Sequence, residues 1–201
     1  MKRIFGLIVL LLFLLSSWVH LSMAANEQKT FFEVESVDTM KYSRDAARNK
    51  EAMAQIPTLV AAAATLHPTH IAIATPYDDE FIPVMKLWVS EIRKHNIKVW
   101  YRGNFAAWEG WFGFERFKNP SDHIQKTERF IKNNPDLFED GDIFTPVPEA
   151  ENGGFGDPRQ GDDIKKKFFE FLPKSYSACA DSMKAIGRDV RVWRTHSGHS
   201  W

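Results

Sequence analysis

Gly141-Asp-Ile-Phe-Thr-Pro-Val-Pro-Glu-Ala-Glu-Asn-Gly-Gly154 runs from an apolar segment, Ile143 to Val147, into two carboxylates, Glu149 and Glu151, on a glycine-rich turn. A short apolar run bounded by turn residues is the pattern of a strand buried on both faces. Carboxylates at the carboxyl end of a buried parallel strand sit where α/β folds collect their reactive groups. Pairs of carboxyl groups are also the usual agents of glycosidic bond cleavage. The same residues would equally make an ordinary charged turn, so the rest of the chain decides between the two.

Working outward, strand-like and helix-like segments alternate with short connections, the pattern of βα units around a parallel sheet. Phe31 to Val37 reads as the first strand, and an alanine-rich helical stretch follows it to Leu66, with Pro57 dividing that stretch into two helices. Ile71 to Thr75 is a short buried strand between His67-Pro-Thr-His70 and Pro76-Tyr-Asp-Asp79. Phe81, Met85, Trp88, Val89 and Ile92 then recur at helical spacing, with Asp78 to Glu80 in front and Arg93 to His95 behind. Both charge and period fit a helix that Asn96 terminates.

Ile97 to Tyr101 forms a third strand, which opens into the aromatic, glycine-punctuated loop Arg102 to Gly113. Pro120-Ser-Asp122 starts a helix that reaches Asn133, and Ile143 to Val147 is strand four. Asp162 is expected to cap a phenylalanine-rich helix ending near Pro173, with a second helical stretch to Ile186 and a fifth strand at Val190 to Trp193. Five such units fit either an open doubly wound sheet or the first part of a (β/α)8 barrel. Length favours the former, and the order of motifs favours the latter.

The amino terminus has the make-up of an export signal: Lys2 and Arg3, an apolar run from Ile4 to Leu15, and the small-residue site Ser22-Met-Ala24. Residues 1–24 are therefore excluded from the fold, leaving residues 25–201 as one domain, secreted or periplasmic and without a membrane anchor after cleavage. Lys plus Arg and Asp plus Glu both number 26, so no charge imbalance favours nucleic acid or an anionic membrane. The lone Cys179 cannot form an intramolecular disulfide and reads as a small buried side chain.

Several enzyme classes lack their signatures. No Gly-x-Ser-x-Gly elbow, dinucleotide fingerprint or phosphate-cradling loop is present, and no cofactor is expected. The pairs His67/His70 and His196/His199 have no cysteine beside them and do not make a metal site by themselves. Lys165 to Lys167 lie beside Asp162 and Asp163 on a helix and read as a solvated face. Aromatic content is high, with 16 Phe, 7 Trp and 4 Tyr, a composition suited to stacking on pyranose rings. Trp88 and Trp100 are expected in the core, and Trp108 and Trp111 in the strand-three loop as stacking walls.

The strand ends carry Asp38, Lys41, Tyr42 and Arg44; then Tyr77, Asp78 and Asp79; then Arg102 and Asn104; then Glu149, Glu151 and Asn152; and finally His196. With these residues, Met40-Lys-Tyr-Ser-Arg-Asp45, Ala74-Thr-Pro-Tyr-Asp78, Arg102-Gly-Asn-Phe105, Trp108-Glu-Gly-Trp-Phe-Gly113 and Pro148-Glu-Ala-Glu-Asn-Gly-Gly154, the chain resembles bacterial clan A glycoside hydrolases. These are (β/α)8 barrels with an acid/base glutamate at the end of strand four and a nucleophile glutamate at the end of strand seven. The likeness covers Val34 to Arg191 and implies an incomplete TIM barrel of about five βα units.

On that resemblance, Glu149 or Glu151 is the acid/base, and Glu149, nearer the strand end, is favoured. The family places Asn directly before this glutamate, whereas Pro148 and Ala150 stand there in this chain. Asp78, Arg102, Asn104, Trp108, Trp111 and Asn152 would bind an oligo- or polysaccharide. The strand-seven nucleophile is not among these residues, and open sheet edges at strands one and five invite self-association. Two other readings stand beside the hydrolase: a non-catalytic carbohydrate-binding or interaction module, and an inactive truncated product.

Overall fold

A computed structural model of the protein describes residues 34–36, 40–103, 119–148 and 158–193. The chain divides into two units, Met1–Phe32 and Glu33–Trp201, and every described residue belongs to the second. The export signal expected at residues 1–24 lies outside the described residues. Among the described residues, no helix is long and apolar enough to cross a membrane.

The fold is mixed α/β. In chain order its elements are β1 (Val34–Ser36), α1 (Met40–Arg48), α2 (Lys50–Ala54), α3 (Ile56–Ala64), β2 (His70–Ala74) and α4 (Ile82–Arg93). They continue with β3 (Lys98–Arg102), α5 (Pro120–Asn133), β4 (Ile143–Thr145), α6 (Asp162–Ala185) and β5 (Arg191–Val192). The strands form one sheet in the order β1-β2-β3-β4-β5, and each neighbouring pair is parallel. A doubly wound sheet reverses its strand order at a switch point; these five strands contain no such reversal.

Strand order and helix placement are linked. Right-handed crossovers that always step to the same side leave their helices on the same face. The register sets Ile71 beside Val99, and Ile73, Tyr101 and Phe144 side by side, so all five share a face. They are buried in one cluster with Ile56 and Val60 of α3, Met85, Trp88 and Ile92 of α4, Phe130 and Ile131 of α5, and Cys179 and Met183 of α6. Ala72 and Ile143, buried on the opposite face, join neither this cluster nor the smaller one around Phe168.

Local chemistry accounts for most boundaries. Asn119 caps α5 by accepting from the Asp122 amide at 3.0 Å, with Pro120 in the first turn. His123, Thr127, Phe130 and Ile131 form the buried stripe of that helix. Beyond α4, Asn96 takes a left-handed conformation, φ 58°, and turns the chain into β3.

Three expectations about helix boundaries need correction. The stretch from Met40 to Ala64 is three helices: Asn49 breaks it once, accepting from the Glu51 and Ala52 amides at 2.9 and 3.2 Å, and Pro57 sits in the first turn of α3. Asp162 does not cap α6; the cap position is Gly161, whose φ of 150° and ψ of 162° are essentially reserved for glycine. Pro173 lies inside α6 and does not end it. The carbonyl that Pro173 leaves without its helical donor belongs to Phe169, which is 41% exposed, so water can replace the missing amide.

The aromatic richness serves the core first. Tyr77 stacks on Phe130 with centroids 4.9 Å apart, Tyr101 meets Phe138 at 4.8 Å, and Phe138 meets Phe144 at 6.0 Å. Trp88 is fully buried as expected. Trp100 is not in this core: it is half-buried and lies on the sheet face away from the helices, in register with Ala72 and Ile143.

Candidate functional site

The carboxyl ends of the strands are tied together beyond the sheet ladder itself. The Thr75 amide donates to the Arg102 carbonyl, Gly103 to Thr145, and Trp193 to Phe144, each at 2.8 Å. Ala74, Arg102 and Thr145 stand in one row across the sheet, with the strand parity of Ala72, Trp100 and Ile143, and Ala74 at the strand end still packs into the helix-side cluster. Arg102 is half-buried there between two small neighbours.

One step back in the same face lie Trp100, Ile143 and Arg191. The Trp100 indole N–H donates to the Thr145 hydroxyl at 2.9 Å, which fixes the ring against the row holding Arg102. Trp193, 39% exposed, meets Trp100 edge-on at 6.5 Å, and the Arg191 guanidinium lies 6.0 Å from the Trp193 ring centroid. The result is an aromatic and cationic surface close to the strand ends, with polar and apolar character in one place. Such a surface can stack on one face of a ring and bond the hydroxyls at its edge.

Asp78 pairs with Lys126 of α5 at the end of β2, with its side chain 19% exposed. Its neighbour Tyr77 is buried on the helix side between Phe130 and Phe144, and its hydroxyl donates to the Pro146 carbonyl at 3.3 Å. His123 Nε2 donates to the same carbonyl, also at 3.3 Å. Burial is the main reason that the His123 imidazole is lowered to a pKa of about 4, with the Lys126 charge acting in the same direction. It is therefore neutral at physiological pH, and because a carbonyl only accepts, its proton sits on Nε2.

Of the residues expected at the site, Asp78 and Arg102 are placed at the ends of adjacent strands. Asn104, Trp108, Trp111, Glu149, Glu151 and Asn152 lie outside the described residues. Sequence reasoning missed His123, Lys126 and the pairing of Trp100 with Trp193. The spacing His123, Thr127, Phe130, Ile131 was the available signal for the first, since it puts a histidine on the apolar stripe of a helix.

His70 is structural. Its Nε2 donates to the Gly141 carbonyl at 3.1 Å and its Nδ1 accepts from the Thr69 hydroxyl at 2.9 Å, at the amino ends of the strands. Among the described residues, no group of three His, Cys, Asp or Glu side chains is placed to hold a metal ion. A shallow groove of about 580 Å³ lies between Asp140, Met183, Arg188, Asp189 and Val192. Most of that lining comes from residues before β4 and β5 and from the end of α6, away from the row containing Arg102.

No protein-family model matches the chain, and no curated protein matches it.

Proposed function

We propose that this chain is the first part of a (β/α) barrel, glycoside hydrolase-like and exported, that acts on an oligo- or polysaccharide at the carboxyl rim of its sheet. The observation that carries the reading is the unbroken parallel order of the strands with the helices gathered on one face. A sheet wound in one direction curls toward its helix-free face, and a closed barrel collects its reacting groups at the carboxyl rim. Arg102 stands on that rim, one row beyond Trp100, and the chain leaves β4 toward Glu149 and Glu151 from the neighbouring strand end.

In this reading Glu149 protonates the leaving glycosidic oxygen in the complete barrel, where the strand-seven carboxylate completes the pair. Arg102, Asp78 and Asn104 hold hydroxyls; Trp108 and Trp111 form apolar walls; Glu151 and Asn152 bind the sugar or exchange roles with Glu149. Hydrolysis of a panel of aryl glycosides tests it, with Glu149→Gln and Glu151→Gln as controls. Loss of turnover in one of the two variants supports the assignment, and turnover unchanged in both opposes it.

One observation favours a second reading, a carbohydrate-binding module without turnover. Trp193 is exposed and braced edge-on by Trp100, an arrangement that holds a sugar ring without any carboxylate. Oligosaccharide binding that persists in both glutamine variants, with no hydrolysis by the wild type, would support it. In either case β1 and β5 are the edges among the described strands and are the places where copies of the chain would associate.

A further inference from the structure

We propose that Tyr77 and His123 are positioning residues, which clamp the tip of β4 through the Pro146 carbonyl and thereby set the direction in which the chain leaves the sheet toward Glu149. The chemical role of Glu149 rests on the reading above; the clamp is a separate claim about three described residues.

The need for a clamp is written in Thr145-Pro-Val-Pro148. Neither proline has an N–H to donate, so the sheet ladder cannot continue past Thr145. Pro146 is buried, and its carbonyl would lose its hydration without replacement. A carbonyl oxygen has two lone pairs, and Tyr77 Oη and His123 Nε2 donate to it, each from 3.3 Å. One donor comes from the segment after β2 and the other from α5, so the tip of β4 is tied to two elements far apart in sequence.

Two further contacts close the clamp. The Gly103 amide donates to the Thr145 carbonyl at 2.8 Å, and a Cβ on Gly103 would stand only 2.7 Å from Thr145 O and 3.0 Å from Pro146 O. Val147 is buried with Phe168, Phe171 and Leu172 of α6. Packing alone does not account for the polar atoms. The Tyr77 ring is already stacked on Phe130, and the His123 ring already meets Phe171 edge-on at 5.8 Å. An apolar residue would fill either place without burying a donor. The hydroxyl and the imidazole N–H converge on one backbone oxygen.

Hydrogen exchange by mass spectrometry on the full chain tests this with Tyr77→Phe, His123→Leu and His123→Gln. Tyr77→Phe and His123→Leu each remove a donor at similar shape, whereas the glutamine amide can still donate. The expected result is exchange about tenfold faster in peptides spanning residues 143–148 for the first two variants, the factor for one lost hydrogen bond. Peptides of β3 and α4 keep their protection, and His123→Gln behaves as the wild type. Unchanged exchange at residues 143–148 in both donor-less variants overturns the clamp, as does a loss spread equally over β3 and α4 in Tyr77→Phe.

Glycoside turnover measured alongside separates the two claims. A local exchange response together with turnover unchanged in Glu149→Gln and Glu151→Gln keeps the clamp and removes the hydrolase reading. Hydrolysis by the wild type without any exchange response in the variants does the reverse.

Discussion

The guanidinium of Arg93 bonds both carboxylate oxygens of Asp142, at 2.8 and 2.5 Å, and so ties the end of α4 to the start of β4. Asp142 is wholly buried and also accepts from the Val99 and Glu139 amides, each at 2.9 Å. Burial works against the Arg93 charge, but the bond and charge of Asp142 outweigh it, and the guanidinium is held even more firmly protonated than usual. Removing one partner of a buried pair costs about 3–5 kcal/mol, and Glu139, 3.2 Å from Arg93 Nε, offsets only part of the Arg93 charge because its side chain is half exposed. Asp142→Ala should lose about that much stability in urea denaturation. A smaller loss in the double variant Arg93→Met/Asp142→Ala than in Asp142→Ala alone would confirm that the orphaned charge is the cause.

His123 makes the fold sensitive to acid. Its pKa is about 4 in the folded chain and near 6.5 when exposed. Between these values the unfolded chain takes up a proton that the folded chain does not, so stability falls as pH drops from 6.5 to 4 and levels off below. The contribution amounts to about 3 kcal/mol across that window. His70, lowered by burial, acts in the same direction. Denaturation midpoints at pH 7 and pH 4.5 should differ less for His123→Gln than for the wild type.

Two glycines should fail on substitution for different reasons. Gly161 has open space where a methyl group would stand, so Gly161→Ala carries only backbone strain, about 1–3 kcal/mol. At Gly103 the added Cβ meets two backbone carbonyls that cannot easily retreat. Gly103→Ala should therefore disturb the rim as well as lower stability. Comparing melting temperatures with the ring-current-shifted resonances of Tyr77 and Phe144 separates the two cases.

Cys179 is buried, and burial pushes its thiol well above the usual cysteine range. In native buffer at pH 8 it should resist Ellman's reagent for as long as the protein stays folded, and react within minutes in urea. Prompt labelling of the native chain would contradict the packing of α6 against the sheet.

Where apolar period and punctuation agree, the sequence was enough. Pro120 to Asn133, the turn at Asn96 and the burial of Trp88 all follow from such local signals. Strand order is a different matter, because five apolar runs can be arranged in more than one way and only the pairing register excludes a reversal. Pro173 misled because a proline on an exposed helix face loses its bond to water and need not break the helix. Trp100 misled because alternation in β3 puts Val99 and Tyr101 in the helix-side core and Trp100 on the other face, a parity that a short apolar run does not reveal. At the site, Asp78 and Arg102 were legible as strand-end residues, while the Lys126 and His123 contacts join segments more than twenty residues apart, so helical spacing could flag His123 but not the partner of either residue.

The central claim is that Arg102 and the carboxylates beyond β4 face one saccharide-binding concavity. Its most direct measurement is an isotope-labelled NMR titration with a mixture of oligosaccharides, reading the Arg102 side-chain Nε–H together with the amides of residues 145–152. The account predicts that these resonances shift together, saturating at one concentration, while His70, Lys98 and Asp142 at the amino rim stay still. Shifts confined to the amino rim, or Arg102 unmoved while residues 149–152 respond, would contradict it.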